Sequence, residues 1–160
     1  MSGDWRSYLR TSRQSAYSIR ALAYYAGGER PRRINIGGSL GLRGFPWYGY
    51  ISGSHAYMLN QEFRFQLFDR LVFGFPITDI TFPGIQTAFF GDAGLASTPG
   101  TPEGPLLTSY GVSWRMGMGP FAVLRLDWGH RKVHGDPLLY ALPPNYKNSS
   151  FLDFFFGYNY

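Results

Sequence analysis

Read two residues at a time, the chain separates into an apolar and a polar face over several stretches. From Met58 to Phe68 one parity carries Leu59, Gln61, Phe63, Phe65 and Leu67, and the other carries Asn60, Glu62, Arg64 and Gln66. Thr108, Tyr110, Val112, Trp114 and Met116 oppose Ser109, Gly111, Ser113 and Arg115 in the same way. Ala122, Leu124, Leu126 and Trp128 oppose Val123, Arg125, Asp127 and Gly129, and Leu152, Phe154, Phe156, Tyr158 and Tyr160 oppose Asp153, Phe155, Gly157 and Asn159. Successive side chains leave a pleated backbone on opposite sides, so a period of two marks a strand. The pattern predicts an all-β chain with six strands, four over these segments and two weaker ones over 16–26 and 85–94.

Strands of about ten residues match what a tilted strand needs to cross a bilayer, and they are long for a soluble sheet. The connections alternate in length. Gly117-Met118-Gly119-Pro120 reads as a tight turn, whereas 95–105 and 131–150, the latter including Arg131, read as long polar or Pro-rich loops. Short turns at one rim and long loops at the other are the pattern of a transmembrane barrel. The stretch 69–83, with Pro76 and Pro83, reads as a connection longer than a minimal turn. Periodicity alone fits a soluble β-sandwich equally well, with the apolar parity inside. Two details favour an antiparallel transmembrane β-barrel: the apolar faces end in aromatics (Tyr110, Trp114, Trp128, Tyr158, Tyr160), and the opposite faces carry Arg and Glu as a wet lumen allows.

Composition changes this picture little. Aromatic residues make up 19 % of the chain, and 21 Gly with 11 Pro favour short strands over helices. No apolar run approaches the roughly 20 residues of a membrane helix, a test to which barrel strands are invisible. The net charge of +5 comes mostly from arginines scattered along the chain, without the basic face that nucleic-acid binding requires. Cysteine is absent, and His55, His130 and His134 lack ligand spacing, so no metal or other cofactor is expected. Gly37-Gly38-Ser39-Leu40-Gly41 imitates a nucleophile elbow without the helix that should follow, and no phosphate-loop Lys-Ser/Thr occurs. The chain is therefore not expected to be an enzyme.

The segment between Ala26 and Tyr57 is too long for a hairpin connection and is expected to be folded. Within it, Gly37-Gly38-Ser39-Leu40-Gly41-Leu42-Arg43-Gly44-Phe45, followed by Leu59-Asn60-Gln61-Glu62-Phe63-Arg64-Phe65, resembles the sixth extracellular loop and following strand of the BamA/TamA surface-antigen superfamily of outer-membrane insertases. Phe90-Gly91-Asp92-Ala93-Gly94, Gly111-Val112-Ser113-Trp114-Arg115 and Leu124-Arg125-Leu126-Asp127-Trp128-Gly129 are similar, in this order, to the family's next strands. The end, Phe154 to Tyr160, resembles its terminal strand, read by the assembly machinery as an insertion signal through Phe156, Gly157, Tyr158 and Tyr160.

The resemblance implies that loop 27–57 folds into the lumen and that Arg43, with Gly44 and Phe45 beside it, meets acidic residues at Glu62 and Asp92. Independently of it, the planar donor fork of arginine suits a carboxylate better than a lysine would, and Glu62 and Asp92 fall on the lumenal parity. Arg125 and Asp127 share a face and are expected to pair with neighbouring strands.

Six strands cannot close a barrel, for which about eight is the minimum. Residues 16–160 are thus expected to be the C-terminal part of a larger barrel, of about sixteen strands if the resemblance holds. Residues 1–15 would be a polar lead-in or the end of a preceding strand. The implied function is insertion or translocation of proteins or lipids at the bacterial outer membrane. Its partners would be outer-membrane lipid, unfolded barrel proteins or a secreted client, and the barrel assembly machinery. A passive anchor or secretion pore for an attached N-terminal domain is the alternative, and a soluble binding module a further one.

Overall fold

The computed structural model describes residues 1–74, 80–118 and 122–158. Within them the chain is all-β, with one antiparallel sheet of seven strands that does not close on itself. The strands are β1 (Ser2–Arg10), β2 (Ser15–Tyr25), β5 (His55–Phe73), β6 (Ile80–Ser97), β7 (Leu106–Met118), β8 (Ala122–His134) and β9 (Asn148–Tyr158), each hydrogen-bonded to the next in that order. A short ribbon of β3 (Ile34–Asn35) and β4 (Ser52–Gly53) lies within the long loop between β2 and β5. The expected count of six strands becomes seven because residues 2–10, polar and Arg-bearing, pair with β2 along their whole length. Their alternation is masked in the sequence by Ser2, Asp4, Arg6 and Tyr8 on one parity against only Trp5 and Leu9 on the other.

The registers place the two parities on opposite faces of the sheet. Asn60, Glu62 and Arg64 of β5 stand beside Asp92, Phe90 and Ala88 of β6, and Ser113 of β7 stands beside Asp127 of β8, which stands beside Asp153 of β9. This polar face is the covered one. The other carries Trp5, Tyr57, Phe63, Phe89, Tyr110, Trp128, Leu152, Phe154 and Phe156, all exposed, with Trp128 at 55 % and Phe154 at 64 %. No second sheet packs on that apolar face among the described residues.

β5 and β6 run longer than the alternation suggests. The stretch 69–83, read as a loop, is largely strand: after a bulge between Gln66 and Phe68 the ladder continues through Arg70↔Pro83 to Phe73↔Ile80. Pro83 is tolerated because, among the described residues, β7 pairs with β6 only as far as Ile85, so the backbone beyond it has no ladder to donate to on that side. The hairpin consequently extends past both neighbours, since β2 stops at Ser15 opposite Phe65. Pro76 falls outside the described residues, as do Gly119 and Pro120 of the expected turn.

At the opposite rim, β8 continues to His134 and β9 begins at Asn148, so the loop there is shorter than 131–150, and Arg131 lies in a strand. The connection contains two 3₁₀ turns, Pro137–Tyr140 and Pro144–Lys147. Asp136 caps the first by accepting from Leu138 N at 2.9 Å, and Ala141 closes it in the left-handed region at φ 53°. This turn buries Tyr140 and Leu142 against Ile36, Leu42, Phe45, Ile51, Met58, Leu107 and Val133, forming a small apolar core under the rim.

Tyr140 does more than pack. β7 pairs with β6 only from Gly94 onward, leaving Ala96 without a strand partner on that side. The phenol of Tyr140 takes that place, donating to Ala96 O at 2.9 Å and accepting from Ala96 N at 2.9 Å. Burial pushes the phenol pKa upward, with the Ala96 backbone acting in the opposite direction.

Removing the hydroxyl strands two buried backbone groups. Tyr140→Phe is therefore expected to cost about 1–3 kcal/mol, read as a lowered denaturation midpoint, with faster amide exchange at Ala96 than in the parent.

Candidate functional site

The loop between β2 and β5 turns inward because its own residues require it. Ile36, Leu42, Phe45 and Ile51 are apolar and buried, and the loop knots on itself to bury them together. Leu42 N donates to Ile36 O at 2.8 Å, Gly41 N to Gly38 O at 2.9 Å and Gly38 N to Phe45 O at 3.0 Å. Ile36 O lies where a Cβ on residue 41 would stand, so only glycine permits this turn.

The tip of this knot, residues 39–44, is held by side chains from the sheet. Arg20 of β2 donates to Leu40 O at 2.9 Å, and Asn60 of β5 donates to Gly41 O at 2.9 Å. Arg125 of β8 donates to Ser39 O, and Arg131 of β8 to Gly44 O. In the other direction Arg43 N donates to Asp92 of β6 at 3.2 Å, and Gly44 N donates to Asp153 of β9 at 3.0 Å. A loop tip would ordinarily leave these backbone groups to water; here the polar face of the sheet satisfies them.

Arg43 is the centre of the arrangement and is 4 % exposed. Its Nε donates to Asp92 Oδ2 at 2.7 Å and its Nη2 to Asp92 Oδ1 at 2.6 Å, a two-pronged pair, while Nη1 donates to Glu62 Oε1. The guanidinium also lies 3.9 Å from the centre of the Phe90 ring. Burial works against the charge, but the hydrogen bonds and charge of Asp92, joined by the charge of Glu62, outweigh it and hold the guanidinium above its ordinary pKa. Glu62 accepts in addition from Arg64 Nε at 2.6 Å and from Arg115 Nη2.

Gly44 follows at φ 79°, and a Cβ there would stand 2.5 Å from the Phe151 ring. That aromatic of β9 thus packs directly on the backbone beside Arg43. Phe45 is buried in the rim core.

The structure brings together Arg43, Gly44, Glu62 and Asp92, while Phe156 and Gly157 lie elsewhere. Phe156 points outward and is exposed, and Gly157 sits opposite Val123 near the other end of β9. Tyr158 belongs to β9 by its backbone, and Tyr160 falls outside the described residues. Arg125 and Asp127 pair with each other within β8, Nε to Oδ2 at 3.0 Å, and Asp127 also accepts from Ser113 of the neighbouring β7 at 2.5 Å.

Arg131, read as a loop residue, instead joins the clamp and stacks 3.6 Å from the Tyr146 ring. The clamp residues that sequence reasoning passed over are Arg20, Asn60, Arg64, Arg115, Arg131 and Asp153. Each stands on the inward parity of its strand, though for Arg131 the strand itself was read as loop. Among the described residues, no group of three His, Asp or Glu side chains is placed to hold a metal.

A scan against protein-family models and searches of curated proteins and of solved structures return no match for this chain.

Two substitutions separate charge from shape. Arg43→Ala leaves Asp92 and Glu62 buried beside one another and is expected to cost about 3–5 kcal/mol; Arg43→Lys recovers only part of this, because an ammonium cannot fork across Asp92. Gly44→Ala keeps every charge and is expected to lose about 1–3 kcal/mol from the left-handed backbone alone, and more through the Phe151 clash. Denaturant titration of the three variants checks the order, and an Arg43→Ala midpoint equal to the parent's would exclude the clamp as a source of stability.

Proposed function

We propose that this chain is part of a bacterial outer-membrane β-barrel of the BamA/TamA surface-antigen kind, acting in the insertion or translocation of proteins or lipids at that membrane. The observation that carries the proposal is the distribution of polarity across one sheet. The bare face is apolar over most of its width, and the polar face is the one covered by the inward-folded loop. A soluble sheet buries its apolar side and wets the other. An apolar surface this wide is unusual on a soluble monomer, whereas lipid outside and a wet lumen inside account for both faces.

Two further features support the same reading. Tyr25, Tyr57 and Tyr110 lie outward in the loop-bearing halves of their strands and are exposed, where an interfacial aromatic belt would run. The free edges of β1 and β9 carry unpaired backbone, which lipid does not tolerate, so on this reading further strands complete the barrel. β9 is then one side of the seam at which a client would be handled, and the Arg43 clamp keeps the lumen filled and the wall in register beside it.

Fractionation of host membranes with an antibody to the C-terminal peptide tests location: the polypeptide is expected with the outer membrane, and a soluble band would refute the barrel. Depleting it should lower the folded levels of other outer-membrane barrels; unchanged levels would leave the anchor role instead.

Lipid contact itself is testable on the native polypeptide, purified from host membranes and reconstituted in vesicles. Leu126→Arg, on the outward face, is expected to cost about 2–4 kcal/mol, against about 0.5 kcal/mol or less for Tyr8→Arg on the polar face. Equal costs would mean that the outward face does not meet lipid.

A further inference from the structure

Below the loop tip lies a cavity of about 400 Å³ whose wall is unusually one-sided in charge. Arg6, Arg20, Arg43, Arg64, Arg115 and Arg125 line it, and Glu62 is the one carboxylate among the lining residues. Three more carboxylates touch these arginines from behind: Asp4 holds Arg6 and Arg20, Asp92 holds Arg43, and Asp127 holds Arg125. Six cations against four anions leave two positive charges uncompensated, and the pairing shows where they are.

One excess charge sits on β1 and β2, where Arg6 and Arg20 share Asp4, both through Nη2 to Oδ2 at 2.9 Å. The other sits across the cavity, where Arg43, Arg64 and Arg115 converge on Glu62 with only Asp92 to help. Arg115 Nε is buried with no partner among the described residues, so this second group is short of acceptors as well as of negative charge.

We propose that this cavity is an oxyanion site for a phosphate ligand with at least two negative charges, of the phosphate-ester or pyrophosphate class. Guanidinium groups on five strands face a space large enough for such a group, and planar forked donors are the side chains that bind phosphate oxygens in pairs. Such a ligand supplies the two negative charges the wall lacks. Tyr8 and Gln86, which also line the space, supply neutral donors. The site is independent of the barrel assignment, since it requires only the sheet and its inward loop.

The test uses the full chain, folded in neutral detergent with its strand content verified by circular dichroism, and isothermal titration with inorganic pyrophosphate at low ionic strength. Saturable binding that weakens with salt is expected. Arg6→Gln, at the solvent-exposed side of the wall and outside the Arg43 clamp, should weaken it by about tenfold. Gln86→Glu places a carboxylate in the cavity without removing any existing contact and should abolish it, while Lys132→Gln, an equal loss of charge on the outward face, should leave it unchanged.

No binding at millimolar pyrophosphate, or binding equally affected by Arg6→Gln and Lys132→Gln, overturns the site. Repeating the titration in the same detergent with and without added phosphatidic acid identifies the source. Competition by the lipid assigns a headgroup phosphate, and an unchanged titration assigns a soluble one.

Discussion

The structure depends on one buried guanidinium. Arg43 stands on a loop, yet it is less exposed than most side chains of the sheet it meets, and its fork is filled by Asp92 while its third donor reaches Glu62. Burying such a charge is unfavourable by itself, and two buried carboxylates on adjacent strands, diagonal neighbours in the register, are unfavourable without it. Each half of the arrangement is therefore intelligible only with the other present. The consequence is positional more than energetic: the loop tip has one depth and one rotation at which Arg43 meets Asp92 and Glu62, and the contacts around it follow from that placement.

Those contacts tie the loop to the sheet edge as well as to its middle. Asp153 accepts from Gly44 N, Phe151 packs on Gly44, and Arg131 reaches both Gly44 O and Ser149, so β9 is joined to the loop as well as to β8. An edge strand has one backbone neighbour, and this one gains a second line of attachment through the loop. On the insertase reading this matters, because a strand at a seam must be stable when idle and releasable when a client arrives. A few hydrogen bonds from one loop tip offer a smaller barrier than a second full ladder would.

Much of the sheet was legible in the sequence because period-two alternation is a direct image of the pleat. The faces assigned to β5, β7, β8 and β9 are those the registers display, down to Glu62 and Asp127 on the inward side. What was not legible has identifiable causes. β1 carries polar residues on one parity and small or mixed residues on the other, so it leaves almost no hydrophobic signal. The β5–β6 extension hides behind Pro83 and a bulge that shifts parity midway. Arg131 sits at a strand end that reads as loop, and its partner Gly44 O is a backbone atom that no side-chain pattern announces.

The same difference explains why the candidate site was legible only in part. Glu62 and Asp92 fall on the inward parity, and the fork of Arg43 suits a carboxylate, but Arg43 stands on a loop without parity, so its meeting with those two was implied by the family resemblance. The rest of the clamp works through loop carbonyls and amides, to which Arg20, Asn60, Arg125, Arg131 and Asp153 contribute one polar group each. These side chains could have paired across the sheet instead, and Arg20 with Asp4 of β1 partly does. What selects the loop over those alternatives is the apolar knot of Ile36, Leu42, Phe45 and Ile51, which must be buried and carries the tip into reach. The polar site is thus positioned by hydrophobic residues that take no part in it, and its reading from sequence needs the core of the loop before the charges of the sheet.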